Sequence, residues 1–195
     1  LLYPHPVKFQ SQAIEHSVLA ESPLARSLLC LAVLALGVGR LIAADGVVPK
    51  DVTVKASAWE QKANGGVGDF PPGATIDGSL APKFSWRAEG PGQWIEYNLG
   101  STHTLVGLQI AFMKGDSRQY RFEVQVSNHA KAGDWQTVLS SQLSSGKRAG
   151  LEAYHFPPVA VRHLRIIGHG NTNTEIAKWI NILEVAFMSA PAQSP

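Results

Sequence analysis

Tyr120-Arg121-Phe122-Glu123-Val124-Gln125-Val126 alternates without a break between apolar or aromatic residues and charged or amide ones. Side chains of a strand point to opposite faces with a period of two, so this stretch reads as a strand with one face in a core and the other in solvent. The same alternation recurs on either side. It appears at Val52 and Val54, at Ile95, Tyr97 and Leu99, and at Val106, Leu108, Ile110 and Phe112. Further short strands are expected at Gln136 to Leu139, Ala153 to Phe156, His163 to Ile167 and Ile182 to Met188. Clusters of Gly, Pro, Asn and Ser separate them, at 64–68, 71–73, 90–92, 144–146 and 168–173. No sustained 3.6-residue period follows Asp45. Many short strands at regular spacing predict an all-β fold, an antiparallel β-sandwich or jelly roll.

Composition narrows the class. The 195 residues suffice for one well-buried domain. With 17 Lys plus Arg against 15 Asp plus Glu the net charge is +2, which gives no electrostatic footprint for nucleic acid. A 45% hydrophobic and 16% charged chain is not a disordered composition. One cysteine excludes a disulfide framework and a cysteine-based zinc site.

The domain is expected over residues 45–188. Ahead of it, Arg26 precedes the uncharged run Ser27 to Gly39, and Leu41-Ile42-Ala43-Ala44 follows. A positive flank, an apolar stretch and small residues at a cut point predict a signal peptide or leader over 1–44, with a secreted, extracellular or periplasmic product. The run is too short for a spanning helix, which needs roughly 20 apolar residues. A short membrane anchor and a buried helix are the other readings. The sequence Ser-Ala-Pro-Ala-Gln-Ser-Pro at 189–195 reads as a disordered tail or linker.

Familiar catalytic patterns are missing. There is no G-x-S-x-G elbow, no H-E-x-x-H and no Walker loop. Gly65-Gly66-Val67-Gly68 follows no strand and opens no helix, and His163 and His169 do not share a helix face. Tyr97, Tyr120 and Tyr154 are the candidate bases for a small β-fold lyase, although Tyr97 and Tyr120 alternate with core positions.

A set of phrases stands in a fixed order instead. Ala74-Thr75-Ile76-Asp77-Gly78-Ser79 precedes Ser85-Trp86, and Gly92-Gln93-Trp94-Ile95-Glu96-Tyr97-Asn98-Leu99-Gly100 follows. Then come Lys114-Gly115-Asp116-Ser117-Arg118, Ser144-Ser145-Gly146, Val161-Arg162-His163-Leu164-Arg165-Ile166, Gly168-His169-Gly170-Asn171, Trp179 and Glu184-Val185. This series resembles the discoidin-like β-sandwich family, related to the type C domains of coagulation factors five and eight. More narrowly it is similar to carbohydrate-binding modules of family thirty-two, and its Lys-Gly-Asp-x-Arg, Ser-Ser-Gly and Gly-His-Gly-Asn phrases resemble modules attached to alginate lyases. The likeness runs from about Val52 to Met188.

The resemblance implies a non-catalytic module that binds carbohydrate, an acidic polysaccharide such as alginate, within a secreted polysaccharide-degrading system. The chain is alternatively part of a lyase whose catalytic domain lies elsewhere, or a protein- or membrane-binding discoidin domain. It also implies a structural calcium site at Asp77, Ser79, Ser85 and Glu184, with Ser79 standing where the family often has Asp or Asn. A plain Asp-Gly turn is the other reading of Asp77.

Ligand contacts in this family come from loops at one end of the sandwich. Lys114 and Arg118 are the first candidates, as cations suited to a uronate carboxylate in a loop that burial does not explain. Arg87, His169 and Asn171 come next, with Trp179 or Trp59 as a stacking surface. Trp86 and Trp94 are expected in the core. Asn181 falls one residue off the asparagine that follows the tryptophan in that subgroup, and is expected to face the other way.

Overall fold

The computed structural model describes residues 48–191, so the leader expected over 1–44, the first residues of the expected domain and residues 192–195 of the tail lie outside it. Among the described residues seven antiparallel strands form the fold. They are β1 (Thr53–Ala56), β2 (Trp86–Glu89), β3 (Gln93–Phe112), β4 (Tyr120–Ser127), β5 (Gln136–Leu143), β6 (Glu152–Asn171) and β7 (Trp179–Ser189). The remaining regular structure is three short 3-10 turns, among them Pro72–Ile76.

Two 20-residue strands organise the architecture. The hydrogen-bonded order is β2-β7-β3-β6-β4-β5, with β1 on the other side of β3. The first part of β3, Gln93 to Asn98, pairs with β1 and with His163 to Gly168 of β6. After a register shift between Asn98 and His103, the second part pairs with β7 and with the first part of β6. Both long strands therefore pass from one layer to the other, and one continuous sheet closes over itself as a two-layer sandwich. Side chains from the two layers meet in its middle. Tyr97 packs edge-on to Phe187 at 5.3 Å between ring centroids, and Phe122 to Tyr154 at 4.9 Å. Phe112 stacks on Tyr120 at 4.7 Å.

Sequence alone suggests separate strands where β3 and β6 run through. Gly100-Ser101-Thr102 has turn composition, and Gly100 does adopt φ +76°. Here it marks a register shift at the corner between layers rather than a chain reversal, as irregularities at sheet bends commonly do. Nothing in the alternation marks β2, which is four residues long at an edge of the sheet.

The corner also gathers the ends of the domain. Thr53 of β1 is registered with Asn98, and Ser189 at the end of β7 with Leu105, while the Ala190 N–H reaches the Thr104 carbonyl at 2.8 Å. At the opposite end the layers close tightly. A Cβ on Gly168 would stand 2.7 Å from the Ile180 Cβ, so only glycine fits there.

A bulge in β7 decides where Glu184 points. Ala111 is registered with Glu184 and Phe112 with Ile182, leaving Leu183 extra. Ile180 and Ile182 before it, and Val185 and Phe187 after it, all belong to the core. Without the extra residue, the period of two would have carried Glu184 into that core. The bulge takes it out of that alternation: Glu184 stays buried, and its Oε2 accepts the Gly78 N–H at 3.2 Å.

Candidate functional site

A cleft of about 450 Å³ opens at the end of the sandwich away from the corner. Its floor is a register pair, Arg87 on β2 and Asn181 on β7. Their strand neighbours Trp86, Ala88, Ile180 and Ile182 fill the core, so alternation sends these two outward. Met113, just past β3, donates its N–H to the Asn181 carbonyl at 3.1 Å and extends the floor. Lys114 and Arg118 form one wall, and Trp179 with Ile176 another. Glu60 and Val67 close it from the segment before β2.

The loop that carries Lys114 and Arg118 is held by its backbone. The Ser117 and Arg118 N–H groups both donate to the Lys114 carbonyl, at 3.0 and 2.9 Å, and the Arg148 N–H donates to the Gly115 carbonyl at 3.1 Å. A Cβ at Gly115 would stand 2.6 Å from the Arg148 carbonyl oxygen, so the loop docks on residue 148 through glycine. Lys114 itself has φ +52°, a left-handed conformation that costs a non-glycine residue about 1 kcal/mol or more. Such strain collects where a side chain must be aimed.

Arg87 is clamped on two sides. Its guanidinium carbon lies 3.8 Å from the Phe70 ring centroid, and Nη1 donates to Glu60 Oε2 at 3.1 Å. The other Glu60 oxygen accepts the Val67 N–H at 2.9 Å. Yet Arg87 Nε is buried with no hydrogen-bond partner, and so is Asn181 Oδ1 on the neighbouring strand. Leaving a buried polar atom unpaired costs about 1–3 kcal/mol, and folds rarely accept it without a reason. Two further cations, Lys114 and Arg118, line the cleft with this pair against one carboxylate, Glu60, which Arg87 already engages.

Of the residues named from sequence, the cleft brings together Arg87, Lys114, Arg118 and Trp179. Asn181 joins them, correcting the expectation that it faces away: it lies two residues after Trp179, on the same side of β7. His169 is exposed elsewhere on β6, its Nε2 3.9 Å from Glu123 Oε2, and does not line the cleft. Asn171 is also corrected. It is buried, its amide donates to the Ile176 and Trp179 carbonyls at 2.8 Å each, and its oxygen accepts the Asn173 N–H at 2.8 Å. It builds the loop that delivers Trp179 and has nothing left for a ligand.

Trp86 is in the core as expected, with Nε1 donating to the Ala58 carbonyl at 2.9 Å. Trp94 is not, since it lies half-buried on the outward face beside Trp135. Trp59 borders a neighbouring cleft. Glu60, Val67, Phe70 and Met113 are not flagged by the sequence. Three of them sit in the segment before β2, where no periodicity exists to mark them. Tyr97, Tyr120 and Tyr154 are all buried, and burial raises each phenol above its usual value, against a role as base.

The residues expected to hold calcium stand around one turn. Asp77 Oδ1 accepts the Ser79 N–H at 2.8 Å, Gly78 has φ +78°, and its N–H donates to Glu184 Oε2 at 3.2 Å. Ser79 Oγ accepts the Ala81 N–H at 3.2 Å, and the buried Ser85 hydroxyl donates to the Pro82 carbonyl at 3.3 Å. Burial pushes the Glu184 carboxyl up to about 7; the Asp77 charge adds to this, and the Gly78 hydrogen bond works against it. The Asp77 carboxylate in the turn and the Glu184 carboxylate on β7 beside it form an all-oxygen donor set that fits a hard cation. No group of three His, Cys, Asp or Glu side chains is placed to hold a metal among the described residues, so backbone carbonyls would have to complete the shell.

Comparison with known proteins agrees with this architecture. The F5/8 type C domain family model matches residues 55–185. The chain is similar to the CBM32 of AlyQ in complex with 4,5-unsaturated mannuronic acid, at 34% identity and a TM-score of 0.60, over 71% of this chain and 95% of that one. Truncated AlyQ with CBM32 and alginate lyase domains is matched at 32% identity and 0.60, over 73% of this chain and 34% of that one. A pectin binding carbohydrate binding module shares the fold at 24% identity and a TM-score of 0.60, over 73% and 93%. A curated relative, BTB/POZ domain-containing protein 9 of Drosophila melanogaster, is 28% identical over 88 residues, 45% of this chain and 12% of that protein. The chain thus spans a small part of that relative's length and about a third of the two-domain AlyQ chain. A family match over most of the two-layer sandwich, with a structural relative at one-third identity that is a CBM32, establishes that this chain belongs to the F5/8 type C domain family.

Proposed function

We propose that the Arg87–Asn181 cleft binds a uronate-bearing glycan. Lys114 and Arg118 on one wall of the cleft carry this reading, because the one carboxylate that lines it, Glu60, is engaged by Arg87 and a uronate carboxylate would pair with the two cations. Trp179 supplies an indole for an apolar sugar face. Alginate is the leading ligand, in keeping with the unsaturated mannuronic acid bound by the AlyQ module. The module would act as an accessory of a secreted polysaccharide-degrading system, outside the cell or in the periplasm, and its linkage to a catalytic domain would parallel that in AlyQ. Nucleic acid and stable membrane insertion play no part in this function. A shallow site orders loops and side chains on binding, so affinity is weak to moderate.

Calcium, held by Asp77, Glu184 and carbonyls of the 77–85 turn, would brace the loop structurally, with the Ser79 and Ser85 hydroxyls beside it. A cation that binds the folded form alone adds about 2.7 kcal/mol at a hundred times its Kd. Chelation should then lower Tm by roughly 5–10 °C for a domain of this size. An unchanged melting curve leaves an ordinary turn.

Calorimetric titration of the chain with alginate oligosaccharides tests the ligand, with neutral galactosides as the comparison. Charge-assisted hydrogen bonds contribute about 1.5–3 kcal/mol each, so Lys114→Ala with Arg118→Ala should weaken binding by about 100-fold or more at unchanged Tm. Equal binding by that variant moves the site elsewhere, and a preference for galactosides removes the uronate.

A further inference from the structure

A second cleft, of about 390 Å³, adjoins the first and shares Glu60, Val67 and Trp179 with it. Its character is different. No Lys, Arg or His lines it, and Glu89 at the end of β2 brings a second carboxylate. Glu60 is committed to Arg87 and to the Val67 N–H, whereas exposed Glu89 forms no ion pair among the described residues. Trp59, 38% exposed, joins Trp179 to give this cleft two indoles, and Gln61 and Asn64 add amide groups.

The wall between the clefts is preformed. Lys62–Asn64 make a 3-10 turn that ends at Gly65 with φ +83°, and the Gly66 N–H returns to the Gln61 carbonyl at 3.0 Å. The Lys62 N–H is held by Asp69 Oδ1 at 3.0 Å. Val67 stands at the tip of this wall, 82% exposed. Apolar exposure on a hydrogen-bonded loop between two indole-bearing clefts suits a chain laid across it, and a rigid wall adds little ordering cost.

We propose that the two clefts are consecutive subsites, and that this chain selects a glycan in which an acidic unit is joined to a neutral one. This rests on the uronate reading of the first cleft. A carboxylate on the next unit would lie against Glu89 with no cation among the residues that line the cleft. A neutral pyranose instead sets an apolar face on Trp59 and hydroxyls toward Gln61 and Asn64. A uronate homopolymer engages by a single unit, and an acidic heteropolysaccharide by two.

Three matched probes titrated into the full chain decide this: glucuronic acid, the β-1,4 diglucuronate, and cellobiouronate, in which glucose replaces the second uronate. Cellobiouronate should bind at least 5-fold more tightly than glucuronic acid, and diglucuronate no more tightly. Trp59→Ala should erase the gain of the disaccharide and leave the monosaccharide unaffected, and Glu89→Gln should bring diglucuronate level with cellobiouronate. Diglucuronate binding as well as cellobiouronate to the unaltered chain, or a disaccharide gain that survives Trp59→Ala, overturns the paired subsites while the uronate site stands. Alginate oligomers whose affinity climbs with length equally in the unaltered chain and in Trp59→Ala overturn it too. Failure of every uronate probe and of alginate sinks the first reading, and this one with it.

Discussion

The two outward faces of the sandwich both carry tryptophan, cations and carboxylates, yet they treat their hydrogen bonds in opposite ways. On the layer that holds β1 and the first half of β3, Glu96 is buried and meets both Lys55 Nζ and His163 Nδ1 at 3.2 Å. Arg165 beside it donates to Gln125 and lies 4.2 Å over Trp135. Those side chains have found partners within the fold. On the other layer, Arg87 Nε and Asn181 Oδ1 are buried and unmet. Charge and aromatic content are therefore alike on the two faces; the unfilled hydrogen bonds differ.

Alkali should break the core between the two faces first, and with the largest effect. Tyr97 bonds Thr75 Oγ1 at 2.9 Å and Tyr120 the Met113 carbonyl at 2.8 Å, and burial raises these phenols and Tyr154 above their unfolded value near 10. Because the folded values are the higher ones, stability is whole below pH 10 and falls as pH rises past it. The slope is about 1.4 kcal/mol per pH unit for each phenol that stays protonated. Tyrosinate absorbance and loss of near-ultraviolet dichroism should appear together; phenols that ionise with the fold intact contradict this.

Asn171→Ala comes next. It strips partners from the Ile176 and Trp179 carbonyls and the Asn173 N–H, and should cost about 2–4 kcal/mol in urea unfolding. Glycan binding should weaken as well, through the loosened Trp179. Asn181→Leu acts with the opposite sign on stability. Replacing an unmet buried acceptor by an apolar group should add about 1 kcal/mol, while affinity for the uronate drops about 10-fold. Stability and binding that fall together would mean that Asn181 is an ordinary structural residue. The smallest effect sharpens the contrast most. Tyr154 Oη is also buried and unpaired, but away from the cleft, so Tyr154→Phe should gain up to about 1 kcal/mol with binding unchanged.

The sandwich is legible in the sequence because its strands alternate. Tyr120 to Val126 forms β4 with the faces as read, and Ile95, Tyr97 and Leu99 are all in the core. The bend in β3 is not legible, since Gly100-Ser101-Thr102 has the composition of a loop and the pairing on either side of it, at Asn98 and His103, comes from residues distant in sequence. At the cleft, Lys114 and Arg118 stand out as cations in a loop after an apolar strand. Asn171 misleads because loop asparagines suggest exposure, whereas this one is used up by carbonyls five and eight residues on. Glu60 and Phe70 give no local signal. What they do depends on Arg87, which β2 brings to them across the fold.

The gathering of both ends at the corner has a mechanical consequence. Trp179 opens β7 at the cleft and Ser189 closes it at the corner, a separation of roughly 30 Å at about 3.3 Å per residue. Cargo carried on either end of the described segment hangs from the side remote from the cleft and leaves it unobstructed. Load passing from a polymer in the cleft to such cargo runs lengthwise along β7, against hydrogen bonds to β3 that lie across the pull. That is shear, the direction in which a sheet yields last, and it suits a domain that must keep its grip while whatever it tethers moves.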